Sequence, residues 1–115
     1  MKFGLNKNNK FRWPGLVGYP YNSKDDFANA SAAYFEVTGS HGKVRNKKSD
    51  RIYFVISGKG EFIVGNESYQ VAGNDVVIVP KSTVYDYRAT EGVLNLFLVH
   101  SPAYDSNAEE RFDKK

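Results

Sequence analysis

Residues 39–58, GSHGKVRNKKSDRIYFVISG, decide the fold of this 115-residue chain. Their second half contains an unbroken run of β-branched and aromatic residues at 52–56, which favours a strand. The Ser-Gly-Lys-Gly segment at 57–60 predicts a turn where that strand ends. Because side chains along a strand alternate between its two faces, the stretch has two distinct sides. They carry Arg51, Tyr53 and Val55 on one side and Ile52, Phe54 and Ile56 on the other.

Strand-forming runs recur on both sides of this stretch. They cover residues 33–38, 61–64, 68–71, 75–79, 84–88 and 93–99. Gly65 and Asn66 separate two of these runs, and a two-residue spacing of this kind is typical of a β-hairpin. Residues 1–33 lack the same regularity, and Pro14 and Pro20 exclude a continuous helix there. The sequence therefore predicts an all-β domain with an irregular, aromatic-rich N-terminal arm.

The spacing within residues 39–58 resembles the first sequence motif of the cupin superfamily, usually written G-x5-H-x-H-x3-E-x6-G. Gly39 and Gly58 stand at its two glycine positions with no insertion between them. The second cupin motif, G-x5-P-x-G-x2-H-x3-N, is matched more loosely by Gly73, Pro80 and Tyr85. The resemblance implies a cupin-like jelly-roll β-barrel, also called a double-stranded β-helix.

Three segments follow from this resemblance. Residues 1–33 form the aromatic arm, which we expect to pack on the barrel or on a partner subunit. Residues 34–102 form the cupin barrel. Residues 103–115 form a polar C-terminal tail, which is expected to fray or to make a short surface helix.

The residues that hold the metal in cupins are replaced in this chain. Cupins use two histidines, a glutamate and a later histidine, and these four positions correspond here to Arg45, Lys47, Arg51 and Tyr85. Guanidinium and ammonium groups repel metal cations. The resemblance thus implies the scaffold without its metal site, and we predict neither a metal nor a cofactor.

A ligand pocket is the second implication of the resemblance, because the motif positions of cupins face the barrel interior. It would be lined by Arg45, Lys47, Arg51, Tyr53, Tyr85 and Tyr87. Guanidinium groups suit carboxylate and phosphate, and tyrosine rings suit the apolar faces of sugars or aromatic rings. In the alternative arrangement, Arg45 and Lys47 lie in solvent at the barrel mouth while Arg51 pairs with Glu36.

The remaining groups able to transfer protons or ligate metal are Glu36, His41, Asp86 and His100. Their spacing does not force them together, so whether His41, His100 and Glu36 form an unusual metal site stays open. If the protein is an enzyme, Tyr85, Glu36 and His41 are the acid–base candidates.

The predicted function is metal-independent binding of a small, anionic organic molecule such as a sugar phosphate, a nucleotide sugar or a carboxylate. The first alternative is a metal-independent sugar isomerase or epimerase. The second is a cupin that serves only as a structural or assembly module.

Composition and patterning bear on partners and compartment. The chain has no cysteine, no apolar run long enough to span a bilayer and no signal-peptide pattern, so we expect a cytosolic protein without a membrane partner. A net charge of +3 does not favour nucleic acid as a partner. The outward apolar stripe at Ile52, Phe54 and Ile56 needs a cover. We therefore predict a two-fold homodimer to which residues 1–22 contribute.

Overall fold

The computed structural model describes residues 1–112 and contains nine strands. The strands are β1 (Phe11–Trp13), β2 (Leu16–Pro20), β3 (Ser31–Val37), β4 (Val44–Asn46), β5 (Asp50–Val64), β6 (Glu67–Ala72), β7 (Val76–Val79), β8 (Tyr85–Ser101) and β9 (Glu109–Arg111). A 3-10 helix at Ser106–Ala108 is the one helical element among the described residues. None of these residues forms a helix long and apolar enough to cross a bilayer.

Two long strands, β5 and β8, tie the structure together. They pair antiparallel from Asp50 opposite Ser101 to Val64 opposite Tyr85, with register shifts between Val55 and Gly60. The shifts bend both strands, so that each belongs to two sheets. The first sheet has the order β1-β2-β3-β8-β5-β7, and the second has the order β9-β4-β8-β5-β6. Their inner faces oppose each other, which confirms the predicted all-β jelly-roll barrel.

The glycine that ends the deciding stretch is required at this bend. Gly58 has a φ of +92°, and a Cβ atom added there would lie 2.2 Å from the carbonyl oxygen of Val93. An L side chain would therefore meet both a strained backbone and a direct clash with the neighbouring strand.

The core lies between the two inner faces. Alternate residues of the long strands fill it, as strand periodicity requires. Its fully buried aliphatic and aromatic members include Val37, Val44, Val55, Phe62, Leu94, Leu96 and Leu98. Burying each such side chain contributes about 1.5–3 kcal/mol relative to exposure, so this layer supplies most of the drive for closing the barrel.

Both chain ends are more regular than the sequence indicated. Within the predicted arm, β1 and β2 form a hairpin, and β2 joins the first sheet beside β3. Within the predicted tail, the 3-10 helix matches the expected short helix, but β9, which pairs with β4, was not predicted. The final part of that tail, residues 113–115, lies outside the described residues.

Candidate functional site

A cavity of about 570 Å³ opens between the two sheets. Its walls are rich in aromatic rings: Phe11, Trp13, Phe35, Tyr53, Tyr85 and Tyr104. Polar side chains lie among these rings. The most deeply buried charges belong to Arg51, on the half of β5 in the first sheet, and to Glu109, on β9 in the second sheet. A cavity of this size and composition is typical of a small-molecule site.

A buried ion pair crosses the interior between Arg51 and Glu109. Arg51 points inward from β5 and is only 2% exposed. Its Nη2 donates to Oε1 of Glu109 over 2.6 Å, and Nδ2 of Asn46 donates to the same oxygen over 2.9 Å. The guanidinium also lies 5.0 Å from the ring centre of Tyr85. The inner end of the cavity is therefore polar but close to neutral.

The charge state of Arg51 follows from its surroundings. Burial alone would lower the pKa of Arg51, but Tyr85, Tyr53 and the Glu109 carboxylate outweigh that effect and raise it. The guanidinium consequently stays protonated at every physiological pH.

Three tyrosines form a second interior cluster. The hydroxyls of Tyr53 and Tyr85 are 3.0 Å apart, and the ring of Tyr87 packs beside both. Burial raises the pKa of all three phenols, although Arg51 partly opposes the effect at Tyr53. They are therefore neutral at physiological pH and can donate hydrogen bonds or supply a proton.

His41 lies against this cluster from the loop before β4. Its ring stacks on Tyr87 and Tyr85, with centroid distances of 4.6 and 5.6 Å. Nδ1 of His41 lies 2.9 Å from the carbonyl oxygen of Gly42, and since a carbonyl can only accept, this contact places the proton of the neutral ring on Nδ1. Nε2 is then the basic nitrogen. A second contact holds the backbone, because Nη2 of Arg111 donates to the His41 carbonyl over 2.9 Å.

His100 lies beside Arg51 on the neighbouring strand and also lines the cavity. Its ring packs edge-on against Tyr104 at 5.1 Å. Burial, followed by the effects of Arg51 and His41, lowers the pKa of His100 from 6.5 to about 3. The imidazole is therefore uncharged at neutral pH and offers one donor and one acceptor.

Arg45 and Lys47 do not face the cavity, so the direction predicted for them is wrong. Arg45 donates to Glu110 on the barrel exterior over 2.6 Å, and Lys47 lies 3.3 Å from the same carboxylate. The reason is that the alternation does not continue from β4 into β5. The bend at residues 47–49 shifts it by one residue, so even-numbered residues face inward on β4 and odd-numbered ones at the start of β5. On β4 the buried residues are Val44 and Asn46.

Arg51, Tyr53 and Tyr85 do line the cavity, and Tyr87 is buried behind it. Their directions agree with the strand alternation, whereas their part in binding stays a prediction. The alternative pairing of Arg51 with Glu36 is wrong, since Arg51 pairs with Glu109.

Glu36 and Asp86 lie away from the cavity. Glu36 accepts hydrogen bonds from the hydroxyls of Tyr19 and Tyr34 on the outer face of β3, and Asp86 accepts from the backbone N–H of Gly42. Within the described chain, no three His, Cys, Asp or Glu side chains converge on one point. His41, His100 and Glu36 thus do not form a shared ligand set.

Sequence reasoning missed Glu109, Asn46 and Arg111. All except Asn46 line the cavity, and the guanidinium of Arg111 lies over the Trp13 ring at 4.4 Å. One signal in the sequence pointed toward Glu109. An Arg51 that faces inward needs a carboxylate partner, and only a few acids follow residue 91. Choosing Glu109 among them required knowing that a final strand returns beside β4.

Comparison of the sequence with known proteins gives a partial match. No protein-family model matches the sequence. An uncharacterized protein of Streptomyces coelicolor is 38% identical over 53 residues, which is 46% of this chain and 50% of that protein. The chain thus matches about half the length of this relative.

Solved structures match over nearly the whole chain. Pac13 of Streptomyces, described as a nucleoside dehydratase, has a TM-score of 0.83 at 23% identity, with 97% of this chain and 92% of that chain covered. KdgF from Halomonas has a TM-score of 0.80 at 18% identity, with 93% and 98% covered. An oxalate decarboxylase has a TM-score of 0.81 at 14% identity, with 94% of this chain and 31% of that chain covered.

The chain has the cupin fold. At identities of 14–23%, the structural likeness shows a shared fold and does not show a shared activity. Pac13 itself has been solved with uridine in variants with one histidine changed to glutamine or one of two tyrosines changed to phenylalanine.

The buried imidazole of His100 predicts that acid destabilises this protein. Because the folded-state pKa is about 3 and the ordinary value is 6.5, the unfolded chain binds the proton more tightly between these values. The contribution of His100 is therefore complete above about pH 6.5 and is lost as the pH falls toward 3. Urea unfolding should give a free energy lower by about 2 kcal/mol at about pH 5 than at about pH 7. The His100→Gln variant should show a much flatter dependence, and equal slopes in the two proteins would contradict this account.

Proposed function

We propose that this cupin binds a small organic molecule that combines a flat ring with hydroxyl groups, of the nucleoside or nucleotide-sugar class. The observation that carries the proposal is the cavity wall, where aromatic rings surround donors and acceptors from Tyr53, His41, His100 and Glu109. Rings of this kind stack on a base or on the apolar face of a sugar. The buried polar groups would then fix the orientation of the ligand.

The fold neighbours add support of a limited kind. Pac13 is described as a nucleoside dehydratase and was solved with uridine, in variants of a histidine and of tyrosines. A histidine stacked on tyrosines stands in the cavity of the present chain. A volume of about 570 Å³ also accommodates a nucleoside comfortably.

The sequence predicted an anionic ligand. We keep that proposal but assign the anion contact to different cations. Arg51 is neutralised by Glu109, and Arg45 and Lys47 lie outside. Of the cavity-lining cations, Arg12 and Arg111 are those that form no ion pair with a described residue. We propose that these two contact the phosphate or carboxylate of a ligand that carries one.

Binding without a transition metal is also part of the proposal. It is supported by the sequence motif, in which Arg51 stands at the position where the cupin motif has a metal-binding glutamate. Among the described residues, no three His, Cys, Asp or Glu side chains converge on a point where they could hold a metal.

Calorimetric titration with uridine tests the proposal, with Tyr53→Phe as the informative variant. Removing this cavity hydroxyl should weaken binding by about 1 kcal/mol, which corresponds to a roughly five-fold higher Kd. Tyr69→Phe is the matched control because Tyr69 lies on the exterior of β6. Uridine 5′-monophosphate should bind more tightly than uridine if Arg12 and Arg111 contact the phosphate. The absence of any saturable heat with either ligand would refute the proposal.

A second candidate function is catalysis by proton transfer, of the sugar isomerase or epimerase type. The observation in its favour is that His41 presents a basic nitrogen next to neutral phenols, so a base and acids line one cavity. Tyr85 and His41 are the candidates, and Glu36 is not, because it lies on the outer face of β3. NMR spectra of the ligand mixed with the protein test this second function, because turnover would change the spectrum with time.

We further propose that the molecule is a homodimer formed through the outer face of the first sheet. Two rows of apolar side chains cross this face in register: Val99, Ile52 and Ile78, and Phe97, Phe54 and Val76. Ile78 is 61% exposed, and Ile52, Ile56 and Val76 are exposed as well. By contrast, the outer face of the second sheet carries ion pairs such as Arg88 with Glu61. A flat apolar face suits a second copy of itself about a two-fold axis, and residues 1–22 at the edge of the same sheet would add to the contact.

The dimer proposal predicts different effects of two equivalent substitutions. Ile78→Asp should convert the protein to a monomer in light scattering at micromolar concentration, since it buries a charge in the interface. Ile63→Asp places the same charge on the outer face of the second sheet, where Ile63 is 43% exposed, and should leave the mass unchanged. A wild-type protein that is already monomeric would overturn the proposal.

A further inference from the structure

Glu109 presents one occupied and one unoccupied carboxylate oxygen. Oε1 accepts hydrogen bonds from Arg51 at 2.6 Å and from Asn46 at 2.9 Å. Oε2 accepts none from the described part of the chain, although the residue lines the cavity and its side chain keeps 15% of its exposure. The two donors hold the carboxylate in a fixed orientation. The second oxygen is therefore a strong, aimed acceptor that a ligand can use.

The charges around Glu109 indicate which ligand group would meet this oxygen. The cavity is lined by four cations, Arg12, Lys24, Arg51 and Arg111, and by three carboxylates, Asp25, Asp105 and Glu109. An amine on the ligand would be repelled by this excess and by the guanidinium in contact with Glu109. A neutral donor would not, and a hydroxyl is the simplest one.

A pair of adjacent hydroxyls fits the acceptor best. One carboxylate oxygen has two in-plane lone pairs, so neighbouring hydroxyls of a vicinal diol can both donate to it. Carboxylates fulfil the same role toward ribose hydroxyls in dinucleotide-binding folds of unrelated architecture. The chemistry on both sides is thus matched without any change in protonation.

We propose that Glu109 is a specificity-determining residue that accepts hydrogen bonds from the vicinal diol of the ligand, so that this cupin selects ribonucleosides over deoxyribonucleosides. The inference rests on the proposed function of the cavity and names its substrate class more narrowly. Arg51 and Asn46 act as positioning residues, because they orient the carboxylate without themselves meeting the diol.

Parallel titrations of the wild-type protein with uridine and 2′-deoxyuridine give the first test. Loss of one hydrogen bond to a charged group should raise the Kd of the deoxynucleoside about 10- to 100-fold. If both nucleosides bind with the same Kd, the diol inference fails while the proposed function stands. If neither binds, the proposed function fails and the inference fails with it.

Two glutamine variants test the residue itself. In Glu109→Gln the ratio of the two Kd values should fall to within about three-fold of unity, since an amide is a weaker acceptor than a carboxylate. In Glu110→Gln the ratio should remain that of the wild type, because Glu110 faces outward and pairs with Arg45. A Glu109→Gln protein that folds by circular dichroism and keeps the wild-type ratio would overturn the assignment. If that variant does not fold, the wild-type ratio alone decides.

Discussion

The buried ion pair between Arg51 and Glu109 is the constraint on which the rest of the structure depends. A guanidinium that is 2% exposed cannot remain unpaired, because isolating a charge from water costs several kcal/mol or more. The strand alternation of β5 directs Arg51 inward, and the chain must then bring a carboxylate to it. Glu109 meets this need from β9, so the last strand is held to β5 by the ion pair and to β4 by backbone hydrogen bonds.

The same pair shapes the cavity above it. It places a polar but nearly neutral group at the inner end, while the tyrosine cluster and His41 provide the side wall. Burial keeps the phenols of the tyrosine cluster protonated and the imidazole of His100 uncharged near neutral pH, since it raises the pKa of the phenols and lowers that of His100. Such a site is suited to recognising hydrogen-bonding groups by direction, and Oε2 of Glu109 is an acceptor that no described residue occupies.

Much of the fold could be predicted from the sequence because β5 is continuous. Alternation along an unbroken strand gave the correct inward side for Arg51 and Tyr53 and the correct outward side for Ile52. The two-residue hairpin at Gly65 and Asn66 was likewise correct, since β5 ends at Val64 and β6 begins at Glu67. These features depend on local periodicity alone.

The site was harder to predict because it depends on long-range pairing. The bend at residues 47–49 shifts the alternation between β4 and β5, so extending the inward face of Arg51 back along the chain assigned Arg45 and Lys47 to the wrong face. Glu109 lies in a polar segment without strand propensity, and its pairing with β4 spans more than sixty residues of chain. Tertiary structure determines which acid pairs with a buried arginine. Neither Glu109 as the counter-ion nor its Oε2 as a hydrogen-bond acceptor could therefore be predicted from the local sequence pattern.

A double-mutant cycle on the unfolding free energy tests the central claim most directly, using Arg51→Met, Glu109→Met and the two together. If the pair is the constraint described above, each single change should cost about 3–5 kcal/mol because it leaves the other charge buried and alone. The double variant should cost far less than the sum, with a coupling energy of about 2 kcal/mol or more. Single costs that add to within about 0.5 kcal/mol would show that the two residues act independently and would contradict the account.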